Sequence, residues 1–124
     1  MKLKLIGCVI AALLLAGCAT NNNLYQWGNY EDTLFAHFHE PEVKEEMLAS
    51  YIAFLEKSQN KSKKKVAPGL FAEAGTFMLE KGDATAAVRF YELERSLWPE
   101  SEPLMTMLIQ NLKAREQTVQ EQTP

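Results

Sequence analysis

The sequence predicts an all-α protein, antiparallel helix pairs stacked in a short array of about five helices. Three observations carry that expectation. Apolar residues recur every three or four positions from Trp27 to Leu112, the repeat of a helix that buries one face. No run of β-branched residues alternates with polar ones, and no hairpin dipeptide such as Asn-Gly occurs. Breakers at Pro41, Pro68-Gly69, Gly82-Asp83 and Pro99 divide the chain into pieces of one helix each.

The first element lies in YQWGNYEDTLFAHFHE, Tyr25 to Glu40. Trp27, Tyr30, Leu34 and Phe38 fall at i, i+3, i+7 and i+11, a single helical stripe. Facing water, such a stripe would be an aggregation or partner-binding patch, so it is expected to lie buried on the second helix. That helix follows Pro41, a residue suited to a first turn, and carries Val43, Met47, Tyr51, Phe54 and Leu55 on one face. SQNKSKKKVAPG, Ser58 to Gly69, is polar and charged and reads as a linker. Leu70, Phe71, Ala74, Phe77 and Met78 form the third helix. Gly82 stops it, and Asp83 is placed to accept an amide hydrogen bond at the start of the fourth. The fourth carries Ala87, Val88, Phe90, Tyr91 and Leu97 and closes at Pro99; the fifth carries Leu104, Met105, Leu108, Ile109 and Leu112. The tail after Arg115 holds one apolar residue and is expected to fray.

Phe71 to Pro99 resembles a tetratricopeptide repeat, a helix-turn-helix unit of about 34 residues. With Pro99 at the closing proline, Tyr91 takes the large aromatic position and Ala87 the small one of the second helix. Gly82-Asp83 takes the turn, Gly75 the small position of the first helix and Phe71 the large one before it. Small residues at Gly75 and Ala87 let two helices approach, and Phe71 and Tyr91 fill the space beside them. Ala74, Met78 and Glu94 depart from the pattern, standing where leucine, tyrosine and a small alanine are usual. The charge of Glu94 places close packing on the next helix in doubt. Any αα-hairpin with a Gly-Asp turn is the plainer alternative. An array needs about three units; here one good unit is followed by half of another and preceded by a diverged unit or cap.

The chain opens MKLKLIGCVIAALLLAGCAT. Two lysines followed by an apolar run make a secretory signal, and the run is about half the roughly 20 residues a spanning helix needs. LAGC, Leu15 to Cys18, resembles the lipobox of bacterial lipoproteins. That resemblance implies cleavage between Gly17 and Cys18, diacylation of the Cys18 thiol and acylation of the new N-terminus, with palmitate-type chains. The alternative is an ordinary secretory cleavage site with a chance cysteine. Two or more chains give stable anchoring, and Ala19 is not the aspartate associated with inner-membrane retention, so the expected location is the outer membrane, periplasmic face. The expected division is residues 1–17 signal, 18–23 lipidated N-terminus and tether, 24–115 helical domain and 116–124 tail. Cys8 leaves with the signal and Cys18 carries lipid, which excludes disulfide, thiolate-metal and cysteine-nucleophile chemistry.

Without residues 1–17 the chain has 11 basic and 16 acidic residues, a net of −5, a poor balance for binding nucleic acid. His37-x-His39-Glu40 is the sharpest metal candidate, but side chains at i and i+2 of a helix point about 200° apart. Zinc needs three or more protein ligands, so partly exposed histidines at a helix end are expected, with no metal and no cofactor. The lysines from Lys61 to Lys65 could meet phosphate or an acidic surface; a solvated linker is the expected reading. No nucleophile elbow or glycine-rich phosphate loop occurs, so no enzymatic activity is expected. Trp27, Tyr30 and Tyr91 remain as the candidate partner or ligand surface.

YQWGNYEDTLFAHFHEPE, with the lipobox before it and the single repeat after it, resembles a family of small bacterial lipoproteins of unassigned function, domain of unknown function 4810. Tyr25, Trp27-Gly28, Tyr30-Glu31 and Leu34 carry the match. The resemblance implies company: a lipoprotein similar to the curli secretion channel subunit, and a third small lipoprotein. The expected role is a protein-interaction or assembly module of an envelope complex, anchored by lipid and partnered by other envelope lipoproteins or outer-membrane proteins. The alternative is a small-ligand or peptidoglycan-binding lipoprotein using exposed aromatics of the first helix.

Overall fold

In the computed structural model, residues 1–4, 6, 23–61 and 64–122 are described; Gly17 and Cys18 lie outside them. Five helices follow residue 29: α1 (Tyr30–His39), α2 (Lys44–Lys61), α3 (Leu70–Glu80), α4 (Ala84–Leu97) and α5 (Glu102–Gln122). A 3-10 turn, Pro99–Ser101, joins the last two. The fold is all-α, built of packed helix pairs, and among the described residues the one extended contact is an isolated parallel bridge between Gln26 and Val66. Among the described residues no helix is long and apolar enough to cross a membrane.

The α3–α4 hairpin follows from its turn. Gly82 takes φ +84°, the left-handed conformation that glycine adopts without strain. This lets the Gly82 and Asp83 amides donate to the Leu79 and Met78 carbonyls at 3.0 and 2.9 Å, closing α3. Asp83 Oδ1 then accepts from the Ala86 amide at 2.9 Å and opens α4, a cap contributing about 1 kcal/mol. Where the helices cross, Gly75 lies directly under Tyr91 and Ala87. Pro99 occupies the first turn after Trp98.

The core forms two clusters. Leu48, Tyr51 and Leu55 of α2 pack with Leu70, Phe71, Ala74 and Phe77 of α3 and with Phe90 of α4. On the other side of α4, Ala87 and Tyr91 meet Met105, Ile109 and Leu112 of α5. Fully burying a side chain of this size contributes about 1.5–3 kcal/mol. Tyr51 is wholly enclosed, and its hydroxyl donates to the Leu70 carbonyl at 2.7 Å.

Several expectations are corrected. Helix α1 starts at Tyr30, so Trp27 precedes it, and its buried face is Thr33 and Ala36. Phe38 is 71 % exposed, because α1 meets α2 through small side chains: Thr33 Oγ1 donates to Asn29 O at 2.8 Å and approaches Met47 O at 3.3 Å. Leu48 joins the core in place of the exposed Val43. Helix α2 continues to Lys61, so the linker is shorter, and its far end is core: Val66 and Ala67 are buried. Leu104 is exposed. Helix α5 runs past Arg115 to Gln122, with every described side chain beyond Leu112 exposed.

Candidate functional site

The residues before α1 form a strap across the molecule. The Gln26 amide donates to Lys65 O and the Ala67 amide to Gln26 O, both at 2.9 Å. The Gln26 side chain donates to Lys64 O at 2.7 Å, and Lys64 Nζ to Asn23 O at 2.9 Å. Tyr25 meets Trp98 edge to face at 5.3 Å between ring centres. The segment therefore spans from the α2–α3 loop to the end of α4. Gly28 turns it into α1 at φ +55°, with the Phe54 ring standing where a Cβ would be, 2.4 Å away.

At this turn lies a hollow of about 340 Å³ lined by Asn23, Trp27, Gly28, Asn29, Glu31 and Asp32. Trp27 is 44 % exposed. Its ring leans on Tyr30 at 6.2 Å, and Tyr30 leans on buried Tyr51 at 5.9 Å. Burial, and next the Glu73 carboxylate, push the Tyr30 phenol above its ordinary value, so it stays neutral. Both side-chain polar atoms of Asn29 are buried with no hydrogen-bond partner. A half-exposed indole beside an unspent amide and two carboxylates can stack on an apolar ring face and hold its hydroxyls. Asn29 was not among the residues singled out from the sequence; its signal was its place just before the first turn of a helix, where it makes no side-chain cap bond.

A family model described as a domain of unknown function, DUF4810, matches residues 24–108. The chain belongs to this family. No curated protein and no solved structure matches it. The DUF4810 region begins at Leu24, inside the strap, and ends at Leu108 in α5, so it takes in Trp27 to Asp32 at the hollow, helices α1 to α4 and the first turns of α5.

Within the DUF4810 domain the two histidines part company. His37 is partly exposed, its ring 4.8 Å from Phe77 and its Nε2 3.2 Å from Glu80 Oε2. His39 is exposed, stacked on Phe35 at 4.7 Å. Among the described residues no group of three His, Cys, Asp or Glu side chains could hold a metal ion.

Tyr91 is not part of any surface. It is buried in the α4–α5 cluster, with its hydroxyl 3.2 Å from Thr76 Oγ1, so of the three candidate surface residues only Trp27 and Tyr30 stand together. Glu94 does not hold the helices apart. Its carboxylate is fully enclosed, and Oε1 accepts from the Gly69 amide at 2.7 Å and the Ser101 hydroxyl at 3.1 Å. It ties the start of α3 to the turn before α5. Of the lysine run, Lys65 Nζ lies 5.2 Å above the Trp98 ring.

Proposed function

We propose that this DUF4810 protein is an outer-membrane-anchored periplasmic lipoprotein acting as an assembly module of an envelope complex. Its partners would be other envelope lipoproteins or outer-membrane proteins, among them one resembling the curli secretion channel subunit. The LAGC lipobox supports the anchor, and the register of Phe71, Gly75, Ala87 and Tyr91 in one hairpin supports a tetratricopeptide-like scaffold. The observation that carries the reading is the apolar side chains left open on the two outer helices. Phe35 and Phe38 on α1, and Leu104 and Met107 on α5, are each more than half exposed, a surface suited to partner helices. A photo-crosslinking residue at Phe38 or Met107 in intact cells should capture one recurring envelope protein, whereas a probe at exposed Glu42 should not. Absence of any specific adduct from both positions contradicts the proposal. Cys18→Ala should release the protein from the membrane fraction.

The Asn29 amide beside Trp27 favours a second reading, recognition of a cell-wall sugar in the hollow. A peptidoglycan disaccharide should then shift Trp fluorescence saturably, and Trp27→Ala should abolish the shift in a chain that stays folded. A shift that survives Trp27→Ala counts against it.

A further inference from the structure

A second cavity, of about 360 Å³, shares no lining residue with the Trp27 hollow. Its walls are the end of α2, the loop at 64–66 and the last turns of α4. Val66, Phe71, Leu93 and Leu97 give it an apolar floor, and Lys64, Lys65 and Gln59 stand at its polar side. No aspartate or glutamate is among its described lining residues, although the chain as a whole carries a net charge of −3. The cavity is therefore a local positive site in an acidic protein. Its size is at the low end of the roughly 300–1,000 Å³ of small-molecule pockets.

The polar groups differ in what they can offer. Ser58 and Ser96 also line the cavity, but their hydroxyls donate to Phe54 O at 2.8 Å and Leu93 O at 3.0 Å. Their protons are spent within their own helices, so they are poor donors to an anion. Lys65 is different. Its ammonium lies over the Trp98 ring at 5.2 Å, a contact that favours this position and leaves its N–H donors available. We propose that the cavity binds a small amphiphilic anion, a carboxylate or phosphate head at Lys65 carried on a short apolar body seated on Val66, Phe71, Leu93 and Leu97.

Isothermal titration of the full chain with hexanoate, hexyl phosphate, hexanol and acetate tests this. One or both of the hexyl anions should bind saturably at a single site, and their ratio reports which head is preferred. Hexanol, lacking the charge, and acetate, lacking the body, should each bind at least about tenfold more weakly. Lys65→Gln should weaken the anions about tenfold, the scale of one charge-assisted hydrogen bond, while Lys65→Arg retains binding. Ser96→Phe, a change at an exposed residue of the cavity mouth, should block the site with helicity by circular dichroism unchanged. Hexanol binding as tightly as the anions, affinity unaltered by Lys65→Gln, or no saturable heat with either anion overturns the proposal.

Discussion

The ring of Tyr91 fills the space in which a side chain at Gly75 would begin: a Cβ there lies 2.5 Å from Tyr91 Cε1 and 3.1 Å from the Ala87 carbonyl oxygen. A buried ring backed by a helix carbonyl has little room to yield. Gly75→Ala should therefore destabilise by about 1–3 kcal/mol, the usual cost of overpacking, even though alanine is the better helix former. For a domain of this size that lowers Tm by about 4–8 °C per kcal/mol. Thermal unfolding of Gly75→Ala, Tyr91→Ala and the double variant checks it: the double variant should lose less than the sum of the two.

Glu94 makes a prediction that runs against the repeat pattern. Alanine is usual at the corresponding position of the tetratricopeptide repeat that the Phe71–Pro99 sequence resembles, yet Glu94→Ala should destabilise by about 1–3 kcal/mol. It strips the acceptor from the partly buried Gly69 amide, and an unsatisfied donor costs about that much. Glu94→Gln keeps one acceptor oxygen and should lose less. Urea denaturation of the two variants decides; equal losses would sink the argument.

Tyr51 gives the fold an alkaline limit. Burial first, and then the charges of Tyr30, Glu73 and Glu94, push its phenol well above the ordinary 10. The unfolded chain then releases this proton before the folded one, so the contribution is complete below pH 10 and declines as pH rises beyond it. The slope is about 1.4 kcal/mol per pH unit. Tyr51→Phe should cost about 1 kcal/mol at pH 7 through the lost bond to Leu70. The gap between wild type and variant should close between pH 9 and pH 11 in chemical denaturation.

Glu45 should titrate low. The hydrogen bond from Lys81 first, and the charge of Lys81 second, hold its carboxyl below the ordinary glutamate value. A depressed value adds stability above the ordinary range, lost as pH falls through the folded value. The pair is exposed and so contributes little to stability, with salt screening it further. Carbon-detected NMR should find the Glu45 midpoint below the ordinary glutamate value, and Lys81→Met should return it toward that value.

The strap can be loosened from a distance. Gly28→Ala places a Cβ 2.4 Å from the Phe54 ring at a φ of +55°, strained on both counts. Amide exchange at Gln26 and Ala67 should accelerate in this variant, while amides of α3 and α4 keep their protection. Unchanged exchange at Gln26 would show that the turn does not hold the strap.

What was legible in the sequence is local in the chain. The α3–α4 hairpin could be read from Gly82-Asp83 and from the spacing of Phe71, Gly75, Ala87 and Tyr91, because each signal lies within a turn or two of what it controls. The strap could not. Gln26 pairs with a loop 40 residues on, at Val66, and no periodicity records such a pairing. The same limit hid the burial of Val66 and Ala67 inside a stretch whose composition looks solvated. Glu94 was misread because charge was weighed without its partner, the Gly69 amide 25 residues earlier. Helix α1 misled for another reason: Phe35 and Phe38 are large but exposed, while Thr33 and Ala36 are small enough to let α1 settle on α2. At the hollow, Trp27 stood out as an aromatic, whereas the unpartnered Asn29 amide shows only in three dimensions.

The strap also decides where tension goes. A pull applied at Asn23 reaches the two backbone hydrogen bonds of Gln26, to Lys65 and from Ala67, before it reaches α1. The load passes into the stretch leading straight to the buried start of α3, which makes α1 and its open aromatic face a slack branch off the load path. A domain tugged from its N-terminus would thus keep α1 seated until the Gln26 clasp gives way, and whatever rests on Phe35 and Phe38 would be mechanically insulated from the pull.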